Sequence, residues 1–367
     1  MERLTLDSKN TLVNVGNSIL GFFNVPKFHD SYEPLDKILK ETKKTKLALI
    51  LLDGMGKVIF ETYKEDIPFL YSHIFKEYKT VFPPTTVAAT TALTTGKYPI
   101  ETGYLGWTQY FKSKKAYINV FPSADAFDHE KRYTPPVTID ELQVDKLWDL
   151  INKTLKFNAT NISSFETKIP GGEDDFESFF AKASKLVSEH DFVYIYSSNP
   201  DHLLHEHGIK NEVIRKNLIY LDSKVKELVE SHADTLFLLT ADHGFSDIEE
   251  ISITEYPDFV ATLKEPLFSI EPRFATVSVK NDEQFLKLAN EYYGDYFIIK
   301  SKDEIIKENT FGYGEPHPNA LDSIKDYILI AKDKYAFNQS TGAIGFKGSH
   351  AGVKSIETDI YLLIFNS

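Results

Sequence analysis

The sequence predicts an α/β fold, a doubly wound, mostly parallel sheet with helices on both faces, carrying a small α+β inserted cap. Three observations lead there. Short unbroken apolar runs recur along the chain, each closed by a polar residue able to do chemistry. Segments with helical spacing lie between them. From about residue 265 to 338 this alternation gives way to a different pattern.

In chain order, Met1 to Asn17 is polar and mixed in charge, without the apolar core of a signal segment. The first apolar run, Leu47 to Leu52, ends in Asp53-Gly54. Phe192 to Tyr196 precedes Ser197 and Asp201, and Leu236 to Thr240 precedes Asp242-His243-Gly244. Runs this continuous read as parallel strands buried on both faces. Between them, Asn211 to Val229 places Val213, Leu218, Leu221, Val225 and Leu228 on one helical stripe. In such a sheet, sites form beyond the carboxyl ends of the strands, where Asp53, Asp201, Asp242 and His243 all fall. Phe274 to Val279 alternates like a half-exposed strand and is followed by a helix (Glu283 to Tyr293), then strands at Tyr296 to Ile299 and Tyr327 to Ala331. Phe311 to Pro318 is a loop. Asp359 to Phe365 supplies a last strand. The division is therefore 1–264 with 339–367 as the main domain and 265–338 as the insertion.

Composition narrows the function. The chain has 367 residues, 42% hydrophobic and 26% charged, which suits a globular enzyme of one large domain. A formal net charge of -13 argues against binding a polynucleotide through a basic face, while a metal site could still hold a small anion. With no cysteine, disulfides, thiolate-bound zinc and thiol nucleophiles are excluded together. No run of 18 apolar residues occurs, so no membrane span is expected, and the cytoplasm is the expected location.

Four segments carry chemistry. Asp53-Gly54 exposes a carboxylate on a tight turn, where it can ligate a cation; alone, it reads more readily as an ordinary turn residue. Gly54-Met55-Gly56 is a poor dinucleotide fingerprint, because Ile59 stands where the third glycine belongs. Pro83-Pro84-Thr85-Thr86 leads into a small-residue helix, putting a hydroxyl at a helix N-terminus where free amides favour a phosphate. A threonine hydroxyl is a weak nucleophile until a base or a metal activates it. Asp201 and His205, four residues apart, share a helical face and offer oxygen and nitrogen donors suited to zinc. His202 and His207 read as surface or supporting residues. Asp242-His243, directly after an apolar strand, needs a metal or a tight polar network to be buried there. His350, in the Gly-flanked loop Gly348-Ser349-His350-Ala351-Gly352, returns to the same sheet edge.

Together and in this order, these motifs resemble the alkaline phosphatase superfamily, and within it the nucleotide pyrophosphatase/phosphodiesterase branch. The matching features are Asp-Gly after the first strand, Phe-Pro-x-x-Thr with Thr95-Gly96 nine residues beyond Thr86, Asp-x-x-x-His-x-x-Gly, Asp-His-Gly and a final Gly-x-His. The resemblance implies one divalent ion held by Asp201, His205 and His350, a second held by Asp53, Asp242 and His243, and Thr86 between them as nucleophile. Thr85 is the competing nucleophile, which the nine-residue spacing disfavours. Zinc suits this donor set best, with manganese or iron as alternatives. The implied chemistry is in-line displacement through a phosphorylated Thr86, on a small phosphate ester or nucleotide-like substrate.

The chain also departs from the branch. Trp107 stands where eukaryotic members carry an asparagine that binds a phosphate oxygen, and Ala89-Thr90 replaces an Asn-His pair. Tyr104, Trp107 and Tyr110 are candidate walls for a leaving group and are equally good as core. No arginine lies in the Thr86 segment to hold a dianion, which favours a diester or pyrophosphate over a monoester. A phosphomonoesterase, a phosphonate hydrolase and a non-catalytic metal-binding scaffold are the competing readings.

Overall fold

The run from Leu47 to Leu52 has no polar face to turn toward water, and the chain buries it completely at the centre of a sheet. The computed structural model describes residues 8–167, 175–265, 268–338 and 345–366. Its strands begin with β1 (Lys46–Leu52) and β2 (Ile74–Lys79), followed by β3 (Thr108–Phe111), β4 (Ala116–Asn119) and β5 (Ala124–Asp125). Next come β6 (Ala159–Ser163), β7 (Phe192–Ser197) and β8 (Thr235–Thr240), and then the short β9 (Ser246–Asp247) and β10 (Glu249–Ser252). After these lie β11 (Ser269–Glu271), β12 (Phe274–Val277), β13 (Phe297–Ser301) and β14 (Tyr327–Ala331). The chain closes with β15 (Tyr335–Asn338), β16 (Gly348–Ser349) and β17 (Asp359–Phe365).

The fold is mixed α/β with two large sheets. The six-stranded sheet has the order β2-β17-β8-β1-β7-β6. β8, β1, β7 and β6 run parallel, whereas β17 is antiparallel to both of its neighbours. The parallel arrangement brings the carboxyl ends of β1, β7 and β8 to one edge. Helices pack around it: Leu12–Phe22 lies against Thr86–Thr95 and Leu147–Asn152, and Glu212–Glu230 lies against Phe176–Glu189 and Pro68–Ser72.

Two helical details differ from the sequence reading. The polar N-terminal stretch runs into a helix, Leu12–Phe22, whose residues 12–20 are all buried. A helix buried all round shows no stripe, and its polar members are satisfied internally; the Asn17 side-chain amide donates to the Gly96 carbonyl at 2.8 Å. On Glu212–Glu230, Val213 is exposed and Ile214 takes the inner position, one helical turn before Leu218.

The second sheet has seven strands in the order β13-β14-β12-β11-β3-β4-β5, every pair antiparallel. It joins β3 to β5, from 108–125, with β11 to β14, from 269–331. The predicted junction at 338/339 borders residues outside those described. β12, expected to be half exposed, is buried throughout because the sheet is covered on both faces. Phe274 packs edge-on to Phe82 of the main core at 5.5 Å, while Ala275 and Val277 join a second core with Phe259, Phe285 and Phe297. Among the described residues no helix is long and apolar enough to cross a membrane.

One buried ion pair ties the two halves together. Arg273, at the β11–β12 turn, pairs with Glu357, and both side chains are fully buried. The guanidinium also donates to the Tyr335 carbonyl at 2.6 Å and the Asp333 carbonyl at 2.7 Å. The Glu357 carboxylate accepts from the Gly352 amide, and its backbone carbonyl accepts from the Gly244 amide at 2.7 Å. Removing one partner strands a buried charge. Arg273→Met should therefore destabilise the protein by about 3–5 kcal/mol in chemical denaturation, and a loss below about 1 kcal/mol would show that the pair carries no such charge penalty.

Candidate active site

Three strand ends supply three aspartates. Asp53 follows β1, Asp201 opens the helix Asp201–His207 beyond β7, and Asp242 follows β8. Gly54, at φ +71°, makes the first turn possible, and a Cβ there would lie 3.0 Å from the Asp201 Cβ, so only glycine lets these two segments approach. Gly54 N–H donates to Asp242 Oδ1 at 3.1 Å, as does the His243 amide at 3.0 Å. That leaves Asp242 Oδ2 and Asp201 Oδ1 buried without a hydrogen-bond partner among the described residues.

Three histidines complete the cluster, each anchored in the same way. His205 Nδ1 lies 2.9 Å from the Gly348 carbonyl, His243 Nδ1 3.0 Å from the Gly244 carbonyl and His350 Nδ1 3.1 Å from the Pro84 carbonyl. A carbonyl can only accept, so every Nδ1 carries the proton and every Nε2 presents a lone pair. Those Nε2 atoms face the carboxylates. His205 Nε2 is 3.5 Å from Asp201 Oδ2, His350 Nε2 is 3.9 Å from Asp201 Oδ1, and His243 Nε2 is 3.4 Å from Asp53 Oδ1 and 3.5 Å from Asp242 Oδ2. His350 reaches this edge because β16 pairs with β9, just beyond Asp242-His243.

Thr86 begins the helix Thr86–Thr95, and its hydroxyl lies 3.3 Å from Asp53 Oδ1 and 3.2 Å from His243 Nε2. Thr85 is the N-cap, but its side chain does not cap. Its hydroxyl instead donates to Glu271 Oε1 at 2.6 Å, so the first-turn amides keep their capacity to bind an anion.

The electrostatics of the cluster are those of anions held out of water. Burial, reinforced by Asp242 and then Asp201, raises the Asp53 carboxyl well above its ordinary value. Burial, with Asp242 and Glu271, does the same to Asp201. Burial lowers His205 to about 4 and drives His350 well down, so neither imidazole carries a charge near neutrality. Among the described residues, no lysine or arginine pairs with the three aspartates, which face these histidines instead.

The residues fit divalent cations. Asp201, His205 and His350 each offer one atom, all within 4.8 Å of one another, and so do Asp53, Asp201 and His243. In the second group Asp201 stands where the sequence reading placed Asp242, whose unpartnered Oδ2 borders the same His243 nitrogen. Hard carboxylate oxygens beside neutral imidazole nitrogens form a zinc-type donor set.

Other expected residues are placed differently. Tyr104 is buried in a small core cluster that includes Val87, with its hydroxyl 3.5 Å from the Thr138 carbonyl, so its ring is packing rather than wall. Trp107 is 44% exposed and sits edge-on to Phe121. Tyr110 lies beneath the Lys325 ammonium. His202 and His207 stay at the outer side of their helix, each near Glu206. Two residues escaped the sequence reading. Tyr196 donates its hydroxyl to Asp53 Oδ2, and Glu271 accepts from both Thr85 and the Trp107 amide, the latter at 2.7 Å. Tyr196 was legible only as strand, and Glu271 stands in a different sheet from every motif.

A family model described as type I phosphodiesterase / nucleotide pyrophosphatase matches residues 47–352. No curated protein sequence matches significantly. Among solved structures, an inactive murine ectonucleotide pyrophosphatase / phosphodiesterase 5 in complex with AMP aligns at a TM-score of 0.66 and 14% identity, over 87% of each chain. A second murine structure of that protein aligns at 0.66 and 15% identity, over 86% of this chain and 87% of that one. The human counterpart aligns at 0.65 and 13% identity, over 87% of each chain. At such identities the likeness speaks for the fold.

The raised carboxyl of Asp201 carries a signed consequence. Its folded value lies above the ordinary 3.8, so the folded state holds the proton more tightly, and stability falls as pH rises above about 4. In chelator, Asp201→Asn should therefore be more stable than wild type at pH 8, with the two converging below pH 4. Denaturation curves at both pH values check this, and a wild type that is the more stable at pH 8 contradicts it.

Proposed function

Because the chain belongs to the type I phosphodiesterase / nucleotide pyrophosphatase family, within the alkaline phosphatase superfamily, we propose that this hydrolase cleaves a phosphodiester or pyrophosphate bond through a phosphorylated Thr86. The observation that carries the reading is the Thr86 hydroxyl, held within 3.3 Å of both Asp53 Oδ1 and His243 Nε2 at the head of an uncapped helix.

Asp201, His205 and His350 would hold one divalent cation, and Asp53, Asp242 and His243 a second, with Asp201 close enough to serve both. When bound, two such ions supply Lewis acidity that lowers the pKa of a hydroxyl and neutralises a departing oxygen. Zinc suits the donors best, and manganese or iron accept the same set.

The chain's own residues do the rest. Asp53 orients Thr86 Oγ by accepting its hydroxyl proton, with His243 Nε2 lying 3.2 Å from the same oxygen. Attack at phosphorus breaks the ester bond on the far side and leaves the phosphoryl group on Thr86. Water then cleaves that bond, so two inversions give net retention. Free amides of the first helical turn receive the nonbridging oxygens. Tyr196 holds Asp53 in place through its second carboxylate oxygen. The 265–338 segment, with β3 to β5, forms a cap-like wall from which Glu271 reaches Thr85 and on whose rim Trp107 stands exposed. The AMP bound by the murine relative supports a nucleotide-like substrate.

Three predictions test this. Wild type should hydrolyse bis(p-nitrophenyl) phosphate faster than p-nitrophenyl phosphate, lose the activity in chelator and regain it with zinc or manganese. Thr86→Ala should lower kcat at least ~10³-fold while metal content, read by elemental analysis, persists; retention of diesterase activity would remove Thr86 from the mechanism. Tyr196→Phe should weaken metal binding by about 10- to 100-fold in a chelator competition, and unchanged affinity would show that Asp53 needs no such support.

A further inference from the structure

Glu271 is a buried carboxylate that the mechanism above does not use. It ends β11 in the second sheet, yet its Oε1 reaches across to the nucleophile segment, accepting from the Thr85 hydroxyl at 2.6 Å and from the Trp107 amide at 2.7 Å. Both donors are neutral. The neighbouring cation, Arg273, is committed to Glu357 and cannot compensate it. Its field reaches the metal-side face of the site, since it is one of the groups that raise Asp201. A negative group thus stands one residue from Thr86, at the head of the helix whose free amides would receive a phosphate.

We propose that Glu271 is a specificity-determining residue, whose carboxylate disfavours dianionic phosphoryl groups beside Thr86 and so favours singly charged ones, as in a diester. The proposal rests on the phosphodiesterase reading. In a buried site, two like charges repel far more than in water, and a second negative charge on the substrate adds to its repulsion by Glu271, whose own donors are both neutral. A diester brings one negative charge, shared over two nonbridging oxygens, and replaces the second with an esterified oxygen. Burial raises Glu271 to about 7, so above pH 8 it is ionised, as is a phosphate monoester. Glu271 also holds Thr85 and the backbone at Trp107 in register, and its conservative replacement separates the two roles. In Glu271→Gln the side-chain amide keeps an oxygen to accept from Thr85 but loses the charge.

The test compares bis(p-nitrophenyl) phosphate with p-nitrophenyl phosphate at pH 8.5, in metal-loaded wild type and Glu271→Gln. The monoester-to-diester ratio of kcat/KM should rise about tenfold in Glu271→Gln, and inorganic phosphate should inhibit that variant about tenfold more strongly, with metal content unchanged. A ratio and a phosphate inhibition constant that both stay within twofold of wild type overturn the proposal. Should the variant not fold, wild type decides it: inorganic phosphate should inhibit no better than dimethyl phosphate, and much stronger inhibition by the dianion is the overturning result. A wild type inactive on both esters fails the phosphodiesterase reading itself, and the role of Glu271 falls with it.

Discussion

The constraint on which this structure depends is charge without compensation. Asp53, Asp201 and Asp242 converge in a place nearly closed to water, where burial and the charge of Asp242 raise the proton affinity of both Asp53 and Asp201. An arginine or lysine would be the ordinary remedy, and among the described residues none pairs with them. Imidazoles stand there instead, every one with Nδ1 spent on a backbone carbonyl and Nε2 turned inward. A cluster of acceptors with so few donors is a donor set that fits cations.

The rest of the fold holds that cluster in register. Parallel pairing of β8, β1 and β7 aligns the strand ends, and close backbone contact lets the turns converge: a Cβ on Gly56 would fall 2.3 Å from the Gly244 Cα. The loop bearing His350 is held by its amide at Gly352 on Glu357, whose carboxylate is neutralised by Arg273 from the second sheet. A buried ion pair is a poor source of net stability but a strong geometric tie when both partners are satisfied. Here it links the second sheet, the His350 loop and the Asp242-His243 turn.

The second sheet accordingly belongs to the site as much as to the architecture. Through Glu271 it reaches the residue before Thr86, and through Arg273 it steadies the loop of a candidate ligand. The same sheet contributes negative charge next to Thr86 and uses its own positive charge elsewhere.

How much was legible beforehand follows from the range of the forces involved. The sequence by itself determined the central strands, the aspartates at their ends, the i, i+4 pairing of Asp201 with His205 and the threonine at a helix start, because each is a local pattern of burial or backbone geometry. It left the helix at Leu12 unread and misjudged the exposure of the strand at Phe274, where burial comes from distant segments and leaves no periodic trace. Only the tertiary structure decided that Tyr196 serves Asp53, that Tyr104 is core, that Asp201 borders both donor groups and that Glu271 meets Thr85 across 186 positions of chain. Those contacts form between surfaces that folding brings together. A one-dimensional pattern records which residues prefer burial, but which buried groups become neighbours depends on how sheets and helices pack.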